Sequence, residues 1–298
     1  MSNRRKSLLL IVALVAVLAI LRVAMALLNP PPPARPPPPT PNGYTAFVQA
    51  GSLVQPNTFD YATMTLEKLQ ITVAGNSNAL TIARAGLLEK SQAPWNSNPA
   101  NMSNHLQQLT RLKELAFAFV TEGKLAEMEQ RTNDAANAYL DTIHLGFESP
   151  RGGVIIDGLV GIAIEAIGTA QLQKIIGSLD EKTCADLARK IEMLDAHEEP
   201  WNQILQNESD WSRNAFPGFE QWMGELLNWK ASKKALKKAE ARSKTQQTKT
   251  RRLMIDLAAR TYELEKGHPP GSVIDLVPDY LTAIPQDPFT GTNMTLAP

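Results

Sequence analysis

The chain has 298 residues, 43% of them hydrophobic, and its 30 Lys and Arg residues balance 30 Asp and Glu residues. Zero net charge provides no overall field that would attract nucleic acid or a charged substrate. The single cysteine, Cys184, excludes an intramolecular disulfide framework, and no histidine lies near it in the sequence to activate a thiolate. The composition fits a globular protein with a membrane anchor.

Residues 1–28 predict a cytoplasmic tip and a transmembrane anchor. A basic cluster at residues 4–6 precedes an apolar run over residues 8–28 that only Arg22 interrupts. A helix of this length spans about 30 Å, and the basic cluster favours a cytoplasmic N-terminus. We therefore predict a single-pass protein of the bacterial inner membrane with the bulk of the chain in the periplasm. The alternative is a cleaved signal peptide with residues 24–26 as the cleavage motif, which would export the same residues.

Residues 29–42 predict a proline-rich stalk. Nine of the twelve residues from 30 to 41 are prolines. Such a run favours polyproline II at about 3.1 Å per residue, which gives a stiff spacer of roughly 37 Å. A spacer of this kind would uncouple the orientation of the folded part from that of the anchor. The alternative is a docking site for a domain that reads PxxP segments.

Residues 43–248 predict a helical domain, so the fold class is mainly α, a multi-helix bundle. The central element is the apolar stretch 154–176, which is long enough to cross a bilayer but contains two carboxylates. At helical spacing its polar and small residues form one stripe, namely Asp157, Gly161, Glu165, Thr169 and Gln173. Because intramembrane carboxylates are costly, we predict a buried helix wrapped by other helices. We expect both carboxylates to pair with an arginine of a neighbouring helix. A second membrane span is the alternative.

Residues 122–146, "EGKLAEMEQRTNDAANAYLDTIHLG", predict a helical hairpin. The small residues Ala135, Ala136 and Ala138 would let two antiparallel helices approach closely. The spacing resembles one tetratricopeptide-type repeat, although no further copy occurs at that period. An ordinary αα-hairpin within a bundle is the alternative. The polar residues expected on the surface of the hairpin predict a contact with a protein partner. These residues are Gln130, Asn133 and Asn137.

The sequence contains no G-x-S-x-G, P-loop, H-E-x-x-H or C-x-x-C motif. Adjacent residues of a helix point in different directions, so His197, Glu198 and Glu199 do not predict a metal site. We therefore name no catalytic, cofactor or metal residue, and we favour a protein that is not an enzyme. If the chain were an enzyme, Glu198 or Glu199 beside Trp201 and Trp211 would be the first candidates.

Residues 230–252 form a basic stretch with ten basic residues against one acid, Glu240. The stretch has too few large apolar residues to be buried, which predicts an exposed helix or linker. It lacks the interleaved aromatic residues typical of nucleic-acid binding, so we predict no nucleic-acid partner. Contact with anionic lipid is the functional alternative to a merely solvated surface. The residues that would make it are Lys230, Lys233, Lys234, Lys237 and Lys238.

Residues 249–298 predict a helix and a short irregular C-terminal segment. The pattern from Tyr262 to Phe289, "YELEKGHPPGSVIDLVPDYLTAIPQDPF", resembles the C-terminal region of major pseudopilins of type II secretion. That resemblance implies a loop that binds calcium, with Asp287 as its ligand. The N-terminus lacks a prepilin cleavage site, so we do not predict a pilus subunit.

A second resemblance covers most of residues 43–292. The hairpin sequence, the C-terminal pattern and "RGGVIIDGLVGIAIEAIGTA" (residues 151–170) together resemble an uncharacterised family of predicted exported, membrane-anchored helical proteins of planctomycete-type and verrucomicrobial bacteria. The resemblance implies no catalytic motif. We predict a membrane-anchored scaffold or protein-interaction module. An envelope hydrolase-like enzyme with a site assembled between helices is the alternative.

Overall fold

The computed structural model describes residues 35–55, 58–94, 98–215 and 219–296, together with eight positions between residues 12 and 24. The side chains of residues 58–60, 99 and 219–232 lie outside this description. The predicted anchor therefore falls largely outside the described residues, as does the side chain of Lys230. The eight positions are helical, and their valine and isoleucine side chains are 52–68% exposed.

The domain consists of packed α-helices. Their bounds are α1 (Gly43–Leu53), α2 (Leu66–Leu87), α3 (Met102–Met128), α4 (Thr132–Glu148), α5 (Ile155–Ile175), α6 (Glu181–Ala196), α7 (Trp201–Ala215) and α8 (Phe219–Lys266). Short 3-10 helices occur at Thr58–Thr63, Pro99–Asn101, Ile176–Ser178 and Val273–Leu276. The described residues form no strand and have one isolated bridge, between Gln286 and Asn293. The predicted class, mainly α and a multi-helix bundle, is confirmed.

Local sequence signals define several helix starts. The Thr65 side chain accepts a hydrogen bond from the Lys68 backbone N–H at the start of α2. The predicted N-cap Asp180 accepts one from Thr183 N at 2.7 Å at the start of α6. At the start of α5 the Asp157 Oδ2 accepts from Val154 N at 2.8 Å. Each contact satisfies a backbone donor that the first turn of a helix leaves free.

Helices α3 and α4 form the predicted αα-hairpin. They are joined by a short turn in which Gln130 adopts a positive φ of 60°. Gly123 of α3 provides the space for the Tyr139 ring of α4, because a Cβ at Gly123 would lie 2.3 Å from a ring carbon. The described residues show a bundle hairpin, and tetratricopeptide-like stacking of hairpins stays a prediction.

Helix α5 lies against α4 at very short range. A Cβ at Gly146 of α4 would lie 2.6 Å from the Glu165 backbone nitrogen. On the α5 side, a Cβ at Gly161 would lie 2.7 Å from the Gly146 carbonyl oxygen, and a Cβ at Gly168 would lie 2.8 Å from the Tyr139 carbonyl oxygen. Three glycines therefore let the two backbones touch.

The polar stripe of α5 faces the interior. Asp157, Gly161, Glu165 and Thr169 are buried, whereas Gln173 is exposed and donates to Asp256 at 3.0 Å. Residues four apart on a helix are offset by about 40° around its axis, so the stripe rotates out of the interior over its length. The predicted buried helix is therefore confirmed on one face only.

The outward face of α5 is apolar, which corrects the prediction that other helices wrap it. Ala163 and Ala170 are exposed, and Leu159, Ile162 and Ala166 are half-buried. We call these five residues the outer face of α5. Over the described residues, the 155–178 stretch alone is long and apolar enough to cross a membrane, with 44% of its apolar window buried. Length and composition do not distinguish such a helix from the core helix of a soluble domain.

Two apolar cores flank α5. One combines α1, α2 and most of α3 with Ile164 of α5. The other combines α4, α6 and the second half of α8 with the C-terminal segment, which contributes buried Leu276 and Leu281. Helix α8 runs without interruption from Phe219 to Lys266, so the predicted division between residues 248 and 249 lies within this helix.

The end of the predicted proline-rich stalk contacts the folded domain. Arg35 Nη1 donates to the Gly152 carbonyl oxygen of the folded domain at 2.5 Å. Residues 29–34 lie outside the described residues, so the stiff spacer stays a prediction.

Replacing Gly146 by Ala tests the contact between α4 and α5. Alanine is the better helix former by about 1 kcal/mol, but its Cβ would press on the backbone of Glu165. We expect a net loss of about 1–3 kcal/mol, because overpacking against backbone is not relieved by side-chain motion. Thermal melts of the full chain in detergent measure it.

Gly177→Ala is the matched control, because a Cβ there meets no atom within 4 Å. It should leave the melting temperature unchanged. Equal melting temperatures for both variants would contradict the close approach of α4 and α5.

Candidate functional site

The loop of residues 149–154, which joins α4 to α5, is the meeting point of distant segments. Ala93 N donates to the Arg151 carbonyl oxygen at 2.7 Å. Gly152 N donates to Glu199 Oε2 at 2.7 Å, and Asn207 Nδ2 donates to the Gly153 carbonyl oxygen at 2.9 Å. Since backbone groups of the loop are bound from three directions, the loop forms a fixed wall between two concave regions.

The first concave region is a cavity of about 220 Å³ between the start of α3, the loop and α7. We call it the His105 cavity. His105 Nε2 lies 2.9 Å from Asp157 Oδ1 at its base. Asp157 is only 2% exposed. The residues that line the cavity are Pro94, Asn101, Met102, Asn104, His105, Gln108, Gly152, Gly153, Val154, Asp157 and Trp211.

The two Asp157 oxygens have different roles. Oδ2 accepts from Val154 N, so it belongs to the start of α5. Oδ1 forms an ion pair with His105 Nε2 at 2.9 Å. The hydroxyl of Tyr44, which is 2% exposed, is without a partner in the described chain. Unsatisfied buried polar groups are rare in folded proteins, so the Tyr44 hydroxyl marks this end of the bundle.

Burial lowers the pKa of His105, but contacts with the Asp157 carboxylate and the Gln108 side chain outweigh burial and raise the pKa above its ordinary value. The Tyr44 pKa is raised by burial and by the charge of Asp157. The contact between His105 and Asp157 therefore favours the protonated form of the imidazole.

The second concave region lies on the other side of the loop, between α5, the start of α7 and α8. We call it the acidic groove. It consists of two adjoining depressions, the larger of about 400 Å³. The residues common to both depressions are Glu198, Glu199, Trp201 and Ser243, and the inner depression reaches Glu165.

Glu165 has no arginine partner, which corrects the prediction for this residue. Its Oε1 accepts from the Thr250 hydroxyl, and Thr169 donates to its backbone carbonyl oxygen at 2.9 Å. Burial, together with the charge of Glu198, raises the pKa of Glu165 to about 8. Arg251 binds Asp195 instead, at 3.0 Å. The Glu165 side chain is therefore a neutral carboxylic acid at pH 7.

The four residues named as enzyme candidates separate into two groups. Glu198, Glu199 and Trp201 line the acidic groove, whereas Trp211 lines the His105 cavity. Burial and the charge of Asp195 raise the pKa of Glu198 to about 7. Glu199 accepts from the backbone of Gly152, so it holds the loop. The hydrolase hypothesis stays a prediction.

Other residues singled out in the sequence have structural contacts. Cys184 is buried, and burial raises the pKa of its thiol to about 11. Asn133 donates to Asp180 at 2.6 Å, whereas Gln130 and Asn137 are exposed. Asp287 Oδ1 accepts from Phe289 N at 2.7 Å and from Thr290 N at 3.0 Å, which shapes the C-terminal turn.

Within the described chain, no group of three or more His, Cys, Asp or Glu side chains is placed to hold a metal ion. The predicted calcium ligand Asp287 therefore has no companion set in that part of the chain. Lys233, Lys234, Lys237 and Lys238 are all exposed, as predicted for the basic stretch, and from Lys233 onward the first buried residue of α8 is Ala239.

Sequence reasoning missed the pairing of His105 with Asp157. The two residues are 52 positions apart, and neither belongs to a motif of fixed spacing. The one local signal was the acidic residue in the first turn of α5, which is equally typical of a helix start.

Comparison with protein-family models, with curated proteins and with solved structures finds no match to this chain.

The pH dependence of stability tests the state of Glu165. Its pKa is about 4.5 in the unfolded chain and about 8 in the folded one, so the folded state binds the extra proton between these values. The contribution of Glu165 to the free energy of unfolding is therefore greatest below pH 4.5. It falls as the pH rises towards 8. We expect Glu165→Gln to flatten this fall and to raise the melting temperature at pH 8.

Glu198 contributes a fall of the same sign, so part of the pH dependence should persist in that variant. Glu89→Gln, at an exposed position in the loop after α2, should keep the full dependence. A wild-type melting temperature that stays constant between pH 5 and pH 8 would disprove the neutral Glu165.

Proposed function

We propose that this chain is a membrane-anchored helical scaffold that binds a protein partner outside the cytoplasm. The observation that carries the proposal is the outer face of α5. A helix buries its apolar residues when they have no other role, but α5 directs its polar stripe inward and leaves the outer face, which is also apolar, half-buried or exposed. An exposed apolar strip on a rigid helix is typical of a surface that another protein covers.

The anchor and stalk support the location. The described valine and isoleucine side chains between residues 12 and 23 are at least 52% exposed, as expected for a helix that contacts lipid. Arg35, in the predicted stalk, contacts Gly152 of the folded domain. The partner is therefore expected at or near the membrane surface.

The α3–α4 turn is a secondary partner surface. Gln130 and Asn137 are exposed there. Asn133 binds Asp180 at the start of α6, so its replacement would also disturb the fold. The outer face of α5 is the cleaner target for experiment.

Photo-crosslinking tests the partner surface. In the full chain, Ala163 or Ala170 is replaced by p-benzoylphenylalanine and native membranes are irradiated. We expect one adduct of the same discrete mass from both positions, because both are exposed on the same face of α5.

Ala74 and Ala85, exposed on α2, serve as matched control positions and should give no adduct. Equal labelling from α2, or no adduct from α5, would count against the scaffold proposal.

We also propose that the basic stretch contacts anionic lipid. Lys233, Lys234, Lys237 and Lys238 are exposed on consecutive turns of α8. Each lysine near an anionic surface contributes about 1 kcal/mol of attraction. This contact would be additional to the anchor, and it would orient the domain on the membrane.

Trypsin accessibility in proteoliposomes tests the lipid contact. The full chain is reconstituted in vesicles with and without phosphatidylglycerol. We expect cleavage at residues 233–238 to be several-fold slower with the anionic lipid and to recover in about 0.5 M salt, which screens the attraction. Cleavage at the exposed Lys182 of α6 is the internal control. Identical rates in both vesicle types would exclude the lipid contact.

A further inference from the structure

Helix α7 and the linker before it cover one side of α5 with little buried surface. We call residues 197–215 the α7 cover. Ile204 and Asn207 are the two buried residues among the 15 of α7. Trp201 and Ile204 pack on Gly158 of α5, where an added Cβ would lie 2.9 Å from the Trp201 ring and 3.1 Å from Ile204. A helix with so few buried contacts opens more easily than the core helices do.

Carboxyl groups concentrate beneath this cover. Among the described residues that line the inner depression of the acidic groove, three carry a carboxyl group and none is basic, namely Glu165, Glu198 and Glu199. Glu165 is 5% exposed and accepts a hydrogen bond from Thr250 of α8, and Glu198 accepts one from Gln247 at 2.8 Å. Negative charges that share a buried site without a counter-charge repel one another strongly.

The basic residues around the groove each have a carboxylate of their own. The pairs are Arg251 with Asp195 at 3.0 Å, Lys244 with Glu240 at 3.1 Å and Arg151 with Glu148 at 2.8 Å. Arg35 of the predicted stalk faces the charges of Glu199 and Asp210. Glu199 is therefore compensated on the loop side, whereas Glu165 and Glu198 depend on bound protons for neutrality.

The histidines near this region do not replace those protons. Burial lowers the pKa of His144 of α4 to about 4, so its imidazole is neutral. His197 of the linker is exposed, and its Nδ1 lies 2.8 Å from the Met193 carbonyl oxygen. Neither imidazole lines the inner depression among the residues described for it.

Opening of the cover releases protons. Burial and the charge of Glu198 raise the pKa of Glu165 to about 8, and burial and the charge of Asp195 raise the pKa of Glu198 to about 7. When the cover leaves α5, water reaches both groups and their pKa values return towards the ordinary value of 4.5. The open state then binds fewer protons than the closed state, so its population rises with pH.

We propose that the α7 cover is a pH-dependent lid on α5, closed while Glu165 and Glu198 are protonated and displaced from α5 when both are ionised. Displacement uncovers Gly158 and widens access to Ile162, which lines the inner depression and belongs to the outer face of α5. An open lid thus offers a larger apolar surface to a partner. This consequence rests on the scaffold function proposed above, whereas the lid motion itself does not.

Hydrogen–deuterium exchange of the full chain in detergent tests the lid motion. Protection factors, which are corrected for the intrinsic pH dependence of exchange, are measured at pH 6, 7 and 8. We expect the protection of residues 201–210 to fall by about tenfold or more between pH 6 and pH 8, because one or two protons leave on opening. Residues 112–120 of the buried helix α3 should change far less. Constant protection of α7, or an equal fall in α3, would overturn the lid.

Glutamine variants identify the groups that hold the lid. Glu165→Gln and Glu198→Gln should each reduce the fall in α7 protection, and the double variant should keep α7 protected at pH 8. Glu89→Gln, at an exposed position outside the groove, should behave as the wild type does. Glu198 is in a partly exposed linker, so its variant is informative even if Glu165→Gln fails to fold. An undiminished fall in Glu198→Gln would refute the assignment.

Photo-crosslinking from Ala163 at pH 6 and pH 8 separates the lid from the partner surface. We expect a several-fold higher adduct yield at pH 8. Equal adduct yields at both pH values would overturn the regulation of the partner surface by the lid. If α7 opens with pH but no adduct forms at either pH, the scaffold proposal fails and the lid stands. If α7 protection does not depend on pH, the lid fails whatever adducts form.

Discussion

The contact between the backbones of α4 and α5 determines the arrangement of this domain. At Gly146 a single added carbon would lie 2.6 Å from the nitrogen of Glu165, so the two helices are as close as their backbones permit. Close approach of this kind needs glycine on the contact line, because any side chain would separate the helices. The side of α5 that carries Gly161 and Gly168 must then contact α4, and every other residue on that side is turned inward with them.

That geometric requirement explains the unusual polarity of α5. Its inward face also carries Asp157, Glu165 and Thr169. Ile164 and Leu172 are buried beside this stripe, whereas the five residues of the outer face are turned outward, where they are half-buried or exposed. The bundle accommodates the inward carboxylates in two ways: Asp157 is paired with a histidine, whereas Glu165 is held as a neutral acid beside Thr250. Burial of a neutral acid costs far less than burial of an unpaired carboxylate.

The loop that follows α4 carries this arrangement to the surface. It separates the His105 cavity from the acidic groove, and it receives Arg35 from the stalk. Elements that are far apart in sequence therefore meet at one short backbone segment.

The sequence alone determined the helical class and the αα-hairpin, because these depend on periodicity and on neighbours within a few residues. It also identified the polar stripe of α5 and the exposed lysines of α8. It did not determine which way the stripe faces. An amphipathic pattern shows which residues share a face of the helix, but only the neighbouring helices decide which face is buried. Only the tertiary structure decided that Asp157 meets His105, that Glu165 lacks an arginine and that Trp211 lies apart from Glu198. The contacts of Asp157 and Glu165 join residues 52 and 85 positions apart, and such separations leave no local spacing for a single sequence to reveal.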